Sequence, residues 1–425
     1  MKVDIKFPKL TFNKKKYQEY KKKNKQILDE QLDKLPKNVI FCKKCVSSNQ
    51  RPRMEFDDEG ICSACKYAEK KFNGFIDWEK REKELIKLLD KHRSKDGSWD
   101  VIVPSSAGKD SALVAHQLKE KYGMHPLTTT WAPSIYTEIG FKNYVNMTHS
   151  GFDGLVAWPN GITHRKLARA GLELKGDPFE PFMFGQKAYP FRIALKFKIP
   201  LIFYGENGEI EYGGSQKNIS KSHESPEDWE ESYYKGAGFE KVIQEAFKMG
   251  IFDENDMNNN TFDFYKPPPL REVKELGLEQ HWWSYYKPWI PQENYYYAVK
   301  NTGFEVNEKR TDGTYQKYAS IDDKTDGFFY YTAYIKFGYG RAMKDSSMEV
   351  RNGHVTKEEG LGLIKQFDGE FPKTYEKEFL EYVSMTREEF DNLCDKFRPE
   401  HIWEKKSNRW EMKKTPWEYF EKNIK

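Results

Sequence analysis

The segment Val101-Ile102-Val103-Pro104-Ser105-Ser106-Ala107-Gly108-Lys109-Asp110-Ser111 constrains the fold more than any other part of the chain. A β-branched apolar run reads as a buried strand, a loop of small residues follows, and a helix starts at once. Backbone N–H groups of such a loop, together with the positive end of the helix, make a cradle for a phosphate group. Ala107 and Gly108 let the backbone approach closely, and the hydroxyls of Ser106 and Ser111 supply donors, in a loop that Ser105 opens. Lys109 offsets charge, and Asp110 is placed to hold Mg²⁺ against phosphates. The loop departs from G-x-x-x-x-G-K-[ST], because no glycine lies five residues before Gly108 and Lys109 precedes Asp. An ordinary strand–turn–helix corner is the plainer alternative.

From this point strands and helices alternate. Residues 100–105, 126–131, 154–158 and 200–204 read as strands. Residues 110–122, 138–150, 164–174 and 184–197 read as the helices between them. This rhythm predicts an α/β fold with a doubly wound parallel sheet, whose ligands bind beyond the carboxyl ends of the strands. Residues 105–106, 131–133 and 205–207 then gather around one crevice. Residues 78–92 read as an amphipathic helix preceding the first strand. Residues 227–248 read as helical, 253–260 as a polar loop, and the aromatic run 281–286 either as a lid over the crevice or as plain core. Residues 375–425 read as helical, anchored by Trp403, Trp410 and Trp417. The expected organisation is a basic helical leader (1–40), a cysteine module (41–70), a nucleotide-binding domain (71–220), an insertion or lid (221–300) and a substrate-binding, helical C-terminal region (301–425).

Four of the five cysteines are concentrated in the cysteine module. Cys42-Lys43-Lys44-Cys45 and Cys62-Ser63-Ala64-Cys65 are two C-x2-C pairs, a tetrathiolate zinc pattern. Four thiolates leave no open coordination position, so the zinc is expected to be structural. Lys43, Lys44, Arg51 and Lys66 are expected to offset the thiolate charge. Cys394 is expected to be a buried or half-buried thiol.

A net charge of +4 over 425 residues carries no global nucleic-acid footprint, although lysines cluster at 14–16 and 21–23. That cluster reads as a solvated helix face or a polyanion site. No apolar run approaches transmembrane length and the start carries no signal-peptide core, so a cytoplasmic location without membrane association is expected.

The loop at 105–111 resembles the S-G-G-x-D-S loop of the PP-loop ATP pyrophosphatases, which are adenine nucleotide alpha hydrolase-like in fold, with Ala107 in place of the first glycine. Ala resists positive φ where Gly does not. The cysteine module followed by this loop is shared by tRNA 2-thiolation enzymes and by the N-acetyl sugar amidotransferases (PseA/WbpG-type) of surface-polysaccharide and nonulosonic-acid synthesis. The chain resembles the second family through an ordered set of segments: residues 130–133, 151–153, 159–161, 164–165, 204–209, 211–214, 320–323, 335–341 and 349–353. The resemblance implies an ATP-dependent, AMP-forming ligase that converts an acetamido group of a sugar nucleotide to acetamidino. ATP and Mg²⁺ are then held at residues 105–111, with Trp131 and Gly205 also toward the nucleotide. Trp131 serves equally as a core residue. Glu206 and Asn207 orient Mg²⁺ or the amide, while Glu209 and Glu211 guide ammonia and take its proton, or are surface carboxylates. Tyr212, Lys336 and Arg341 face the sugar nucleotide, Lys336 and Arg341 being alternatively a solvated pair. Asp322, Asp323 and Asp326 form either a second metal locus or a capped turn. No glutaminase segment is visible, so ammonia comes free or from a partner complex similar to the imidazole-glycerol-phosphate synthase subunits. A tRNA-modifying enzyme on the same core is the alternative function. A non-enzymatic zinc-knuckle scaffold is the third.

Overall fold

The computed structural model describes residues 5–23, 27–224, 238–256 and 261–423. Four strands lie where the sequence places them: β1 (Val101–Pro104), β2 (Pro126–Trp131), β3 (Asp153–Ala157) and β4 (Leu201–Tyr204). The other strands are β5 (His223–Glu224), β6 (Glu279–Trp282), β7 (Trp403–Lys406) and β8 (Arg409–Met412). Among the described residues one sheet has the order β3-β2-β1-β4-β6-β5. All neighbours pair in parallel except β5, which runs antiparallel to β6. The fold is therefore α/β with a mixed sheet, rather than the wholly parallel sheet that the alternation predicts.

Side-chain alternation in β1 explains why both faces are covered. Val101 and Val103 enter one core with Leu85, Leu89, Val114 and Leu118. Ile102 points the other way and packs with Leu127, Phe191, Ala194 and Ile202. The first core is roofed by α3 (Trp78–His92) and α4 (Lys109–His116), the second by α7 (Glu180–Phe197). Asp77 caps α3 by accepting from the Lys80 N–H at 2.9 Å. The helix predicted over 110–122 is split, since after α4 the backbone continues as a π turn over Gln117–Lys121.

Three expectations are corrected. Residues 279–282, placed within a lid, are a strand of the main sheet, and Trp283, Tyr286 and Trp289 lie in its core. Pairing with β4 recruits a short polar strand that carries no alternating pattern of its own. Residues 375–425 are not helical throughout, because β7 and β8 form a hairpin holding Trp403 and Trp410. Its turn residues Ser407 and Asn408 sit at φ 46° and 65°, the left-handed pair that a tight hairpin demands. Among the described residues of the basic leader, helix α1 spans Lys14–Lys23. It is docked by its tyrosines: Tyr20 Oη donates to Glu245 Oε2 at 2.7 Å, and Tyr17 Oη accepts from Arg169 Nη2 at 2.8 Å. Of the helix predicted over 227–248, Phe239–Lys248 is helical and 227–237 lie outside the described residues. Residues 257–260 of the polar loop also lie outside them.

Candidate functional site

Strand order reverses at β1, which has β2 on one side and β4 on the other. In open α/β sheets the chain ends diverge at such a point and leave a crevice. Here a cleft of about 420 Å³ opens at the carboxyl ends of β1, β2 and β4. Residues 104–111 form its floor, and residues of the 316–348 region form the opposite wall.

The floor loop is held by its own hydroxyls. Ser105 Oγ accepts from the Ala107 N–H at 3.0 Å and donates to Ser111 Oγ at 2.9 Å, while Ser111 Oγ donates to the Gly108 carbonyl at 3.2 Å. The loop turns through Ala107 at φ 59°, so the substituted alanine takes the left-handed conformation that glycine would adopt without strain. Gly108 is the residue before α4, and a Cβ there would come within 3.2 Å of Ser106 Oγ. Lys109 is buried and ion-paired to Asp110. Asp110 also accepts from Asn294 Nδ2 at 2.8 Å.

Glu206, at the end of β4, faces the same space. Burial, and then the negative charge of Asp110, pushes its carboxyl up to about 6. Tyr212 Oη donates to Glu206 Oε1 at 3.0 Å. Asp110 and Glu206 thus bring two carboxyl groups to the same cleft. Trp131 and Gly205 also line the cleft. Trp131 packs so tightly on Gly185 that a Cβ there would lie 2.0 Å from its ring.

The facing wall adds Lys344 and Tyr330, which were not singled out from sequence, to the aspartates Asp322, Asp323 and Asp326, which were. Lys344 donates to Tyr330 Oη at 3.2 Å and lies 5.1 Å from the Tyr212 ring centroid. Asp326 is 8 % exposed, lines the cleft and accepts no hydrogen bond among the described residues. Burial, then Asp322 and Asp323, raises its carboxyl well above the usual range. Burial and Asp323 push Asp322 up to about 6. Asp323 is differently employed: it accepts from the Ser134, Ile135 and Thr325 N–H groups and ties the loop after β2 to this wall.

Several predicted site residues are not brought to the cleft. Asn207 spends its side chain capping a short helix, α8 (Gly208–Glu211), by accepting from the Glu209 N–H at 3.1 Å. Glu209 pairs with Arg53, whose Nε lies 2.9 Å from Oε2. Glu211 pairs with Lys71 at 2.9 Å, both side chains being buried. Both carboxylates thus fasten the cysteine module to the end of β4. Lys336 is buried against Asp29 at 2.8 Å. Arg341 is buried behind the wall, with its guanidinium 4.5 Å from the Tyr330 ring centroid and a bond to the Ala319 carbonyl. Sequence spacing puts Asn207, Glu209 and Glu211 near a strand end, but only the packing decides which way each side chain turns.

Cys42, Cys45, Cys62 and Cys65 are buried and their sulfurs all lie within 4.8 Å of one another. Cys42 to Cys65 and Cys45 to Cys62 are each 3.7 Å. A tetrahedron with metal–sulfur bonds near 2.3 Å has edges of about 3.8 Å, so the donor set fits a structural zinc ion. The Ser47 and Cys62 N–H groups point at Cys45 and Cys42 Sγ, at 3.4 and 3.3 Å. Of the cations expected to offset charge, Lys44 pairs with Glu69 and Lys66 with Asp57. Arg51 reaches the Gly213 carbonyl instead. The guanidinium beside the cluster is Arg351, with Nη1 3.8 Å from Cys45 Sγ. It lies too far along the chain for any local spacing to reveal. Cys394 is buried, and burial pushes its thiol up to about 12.

Residues 312–416 match the family described as LPS biosynthesis protein WbpG-like, C-terminal domain. That segment contains Asp322, Asp326, Tyr330 and Lys344, the wall facing the loop. An uncharacterized protein of Methanocaldococcus jannaschii is 28% identical over 108 residues, which cover 25% of this chain and 38% of that protein. The match thus spans well under two thirds of the relative's length. Among the described residues, no helix is long and apolar enough to cross a membrane.

Proposed function

We propose that this protein is an ATP-dependent amidotransferase that turns an acetamido group of a sugar nucleotide into an acetamidino group. The observation that carries this reading is the placement of the 105–111 loop, Asp110 and Glu206 at the strand-order reversal, across a cleft from the WbpG-like wall. The small-residue loop at the start of α4 offers backbone N–H groups and a helix terminus to the β- and γ-phosphates of ATP. Lys109 balances their charge. Asp110 and Glu206 would hold Mg²⁺, which when bound neutralises phosphate charge.

An amide is a poor electrophile, so its oxygen must first become a leaving group. The amide oxygen attacks the α-phosphorus and pyrophosphate departs. Ammonia then adds to the imidate carbon, and AMP leaves carrying the former amide oxygen. Water that reached the adenylylated imidate would regenerate the amide at the cost of ATP. Tyr212, Tyr330 and Lys344 offer hydrogen bonds and positive charge to the sugar nucleotide. The cysteine module acts as a structural zinc unit bolted to the end of β4. Ammonia comes from solution or from a separate glutaminase complex.

The test is incubation with ATP, Mg²⁺, an ammonium salt and a panel of acetamido sugar nucleotides. Mass spectrometry should find oxygen exchanged for NH in the sugar, with equimolar AMP and pyrophosphate. Label from an ¹⁸O-acetamido group should end in AMP. Failure of every sugar, or label retained in the sugar, refutes this reading.

A further inference from the structure

Two smaller, separate cavities lie between the cleft and the cysteine module, each sharing lining residues with the next. The first is an enclosed chamber of about 10 Å³, room for one water-sized molecule. It shares Tyr212, Pro291 and Met348 with the cleft. The second is a surface cavity of about 250 Å³ between the cysteine module and the helix Arg341–Arg351, and it shares Ala68 and Arg351 with the chamber. The partition toward the cleft contains Met348, an unbranched thioether that can change rotamer, and the other contains Arg351, held near Cys45 Sγ and the Glu211 carbonyl.

Two charged side chains, Lys71 and Glu211, line the chamber. Lys71 reaches Glu211 Oε2 and the Trp289 carbonyl, each at 2.9 Å. Glu211 Oε1 is buried with no hydrogen-bond partner among the described residues. An orphaned acceptor of this kind is costly unless something donates to it. The space admits only a very small donor.

We propose that these cavities form an ammonia conduit, entering beside Phe72 and Asn73 at the edge of the cysteine module, passing Glu211 and opening into the cleft at Tyr212. The proposal rests on the amidotransferase reading above. Ammonia is mostly protonated in neutral water and then lacks a nucleophilic lone pair. A route through a buried one-molecule chamber delivers it in the neutral form, with Glu211 Oε1 accepting an N–H in transit. Tyr212 lines both the chamber and the cleft and so marks the inner opening. Tyr212 also bonds Glu206, so the inner opening lies beside the carboxylates that frame the reaction. The conduit gives the cysteine module a purpose beyond stability: Ala64, Ala68 and Lys71 on its helix form one side of the path. Phe72 lies at the mouth, 46% exposed, and Phe75 nearby in sequence is 77% exposed.

The experiment is a steady-state series at fixed pH with ammonium chloride as the varied substrate, in wild type and in Ala68→Val, Ala68→Leu and Ala68→Phe. The expected result is an ammonium KM that climbs with side-chain size, at least tenfold by Phe, while the ATP KM and kcat at saturating ammonium stay within twofold. Phe72→Trp enlarges an exposed side chain at the mouth without touching the core, and should raise the ammonium KM at least threefold. This keeps the test decisive if a larger residue at Ala68 prevents folding. Unchanged ammonium KM in Phe72→Trp and in the folded Ala68 variants, with wild type turning over, overturns the conduit alone. Wild type that forms no AMP with any acetamido sugar and ammonium overturns the parent reading, and the conduit falls with it.

Discussion

Replacing Lys71 with Met should be among the most damaging single substitutions in this protein, and its cost should depend on pH. Lys71 and Glu211 are 5% and 4% exposed and 2.9 Å apart. Removing one partner of such a pair strands a buried charge, which costs about 3–5 kcal/mol. Total stability of a domain is about 5–15 kcal/mol, so the loss is a large fraction. The Glu211 carboxyl is already raised above its ordinary value, because burial outweighs the opposing effect of Lys71. A raised carboxyl contributes stability that is present below the unfolded value, about 4.3, and is lost as pH rises through the folded value. Without Lys71 the folded value climbs further. The penalty of Lys71→Met, measured against wild type at the same pH, should therefore be larger at pH 8 than at pH 6. Lys71→Met combined with Glu211→Met leaves no orphaned charge and should recover most of the loss. Urea denaturation followed by tryptophan fluorescence at both pH values gives these numbers. A cost of less than about 1 kcal/mol at pH 8, or one equal at the two pH values, would refute the assignment of this pair as the clamp between module and sheet.

Ala107→Gly removes left-handed strain of about 1–2 kcal/mol against a backbone-entropy cost of about 0.5–1 kcal/mol, so the melting temperature should hold or rise slightly. Ala107→Val, with a branched Cβ at the same φ, should melt lower than wild type, and the opposite order contradicts the turn geometry. Cys62→Ser should lose both bound zinc and cooperative folding; a metal-free variant with an unaltered melting curve speaks against a structural ion. Glu206→Gln tests the cleft carboxyl directly. Wild-type turnover should fall as pH drops through about 6, where Glu206 takes up its proton, and the variant should be slow at every pH with that acid limb absent.

Much of the fold was legible because its signals are local. The alternation of apolar strands and helices in 100–204 yields β1 to β4 within a residue or two, and the C-x2-C pairs yield the sulfur cluster. Loop residues 105–111 likewise fall where strand, turn and helix propensities put them. What escaped was set by partners distant in sequence. β6 is polar and short, and it is a strand because β4 offers it an edge. The hairpin of β7 and β8 was hidden behind three tryptophans, although Ser407-Asn408 carries the turn signal. Tyr330 and Lys344 of the facing wall lie on helices with no motif to mark them, whereas Asp322, Asp323 and Asp326 stood out in the sequence as a carboxylate cluster.

By itself, then, the order of residues determined which groups are present: a small-residue turn between strand and helix, four clustered cysteines and a set of carboxylates near one strand end. Only the tertiary structure decided where those carboxylates are used. It gave Glu206 to the cleft and bound Glu209 and Glu211 to Arg53 and Lys71 of the cysteine module. The physical reason is that a charge entering a low-dielectric interior must be paired or left free to act, and which of the two it becomes depends on the elements that packing brings beside it.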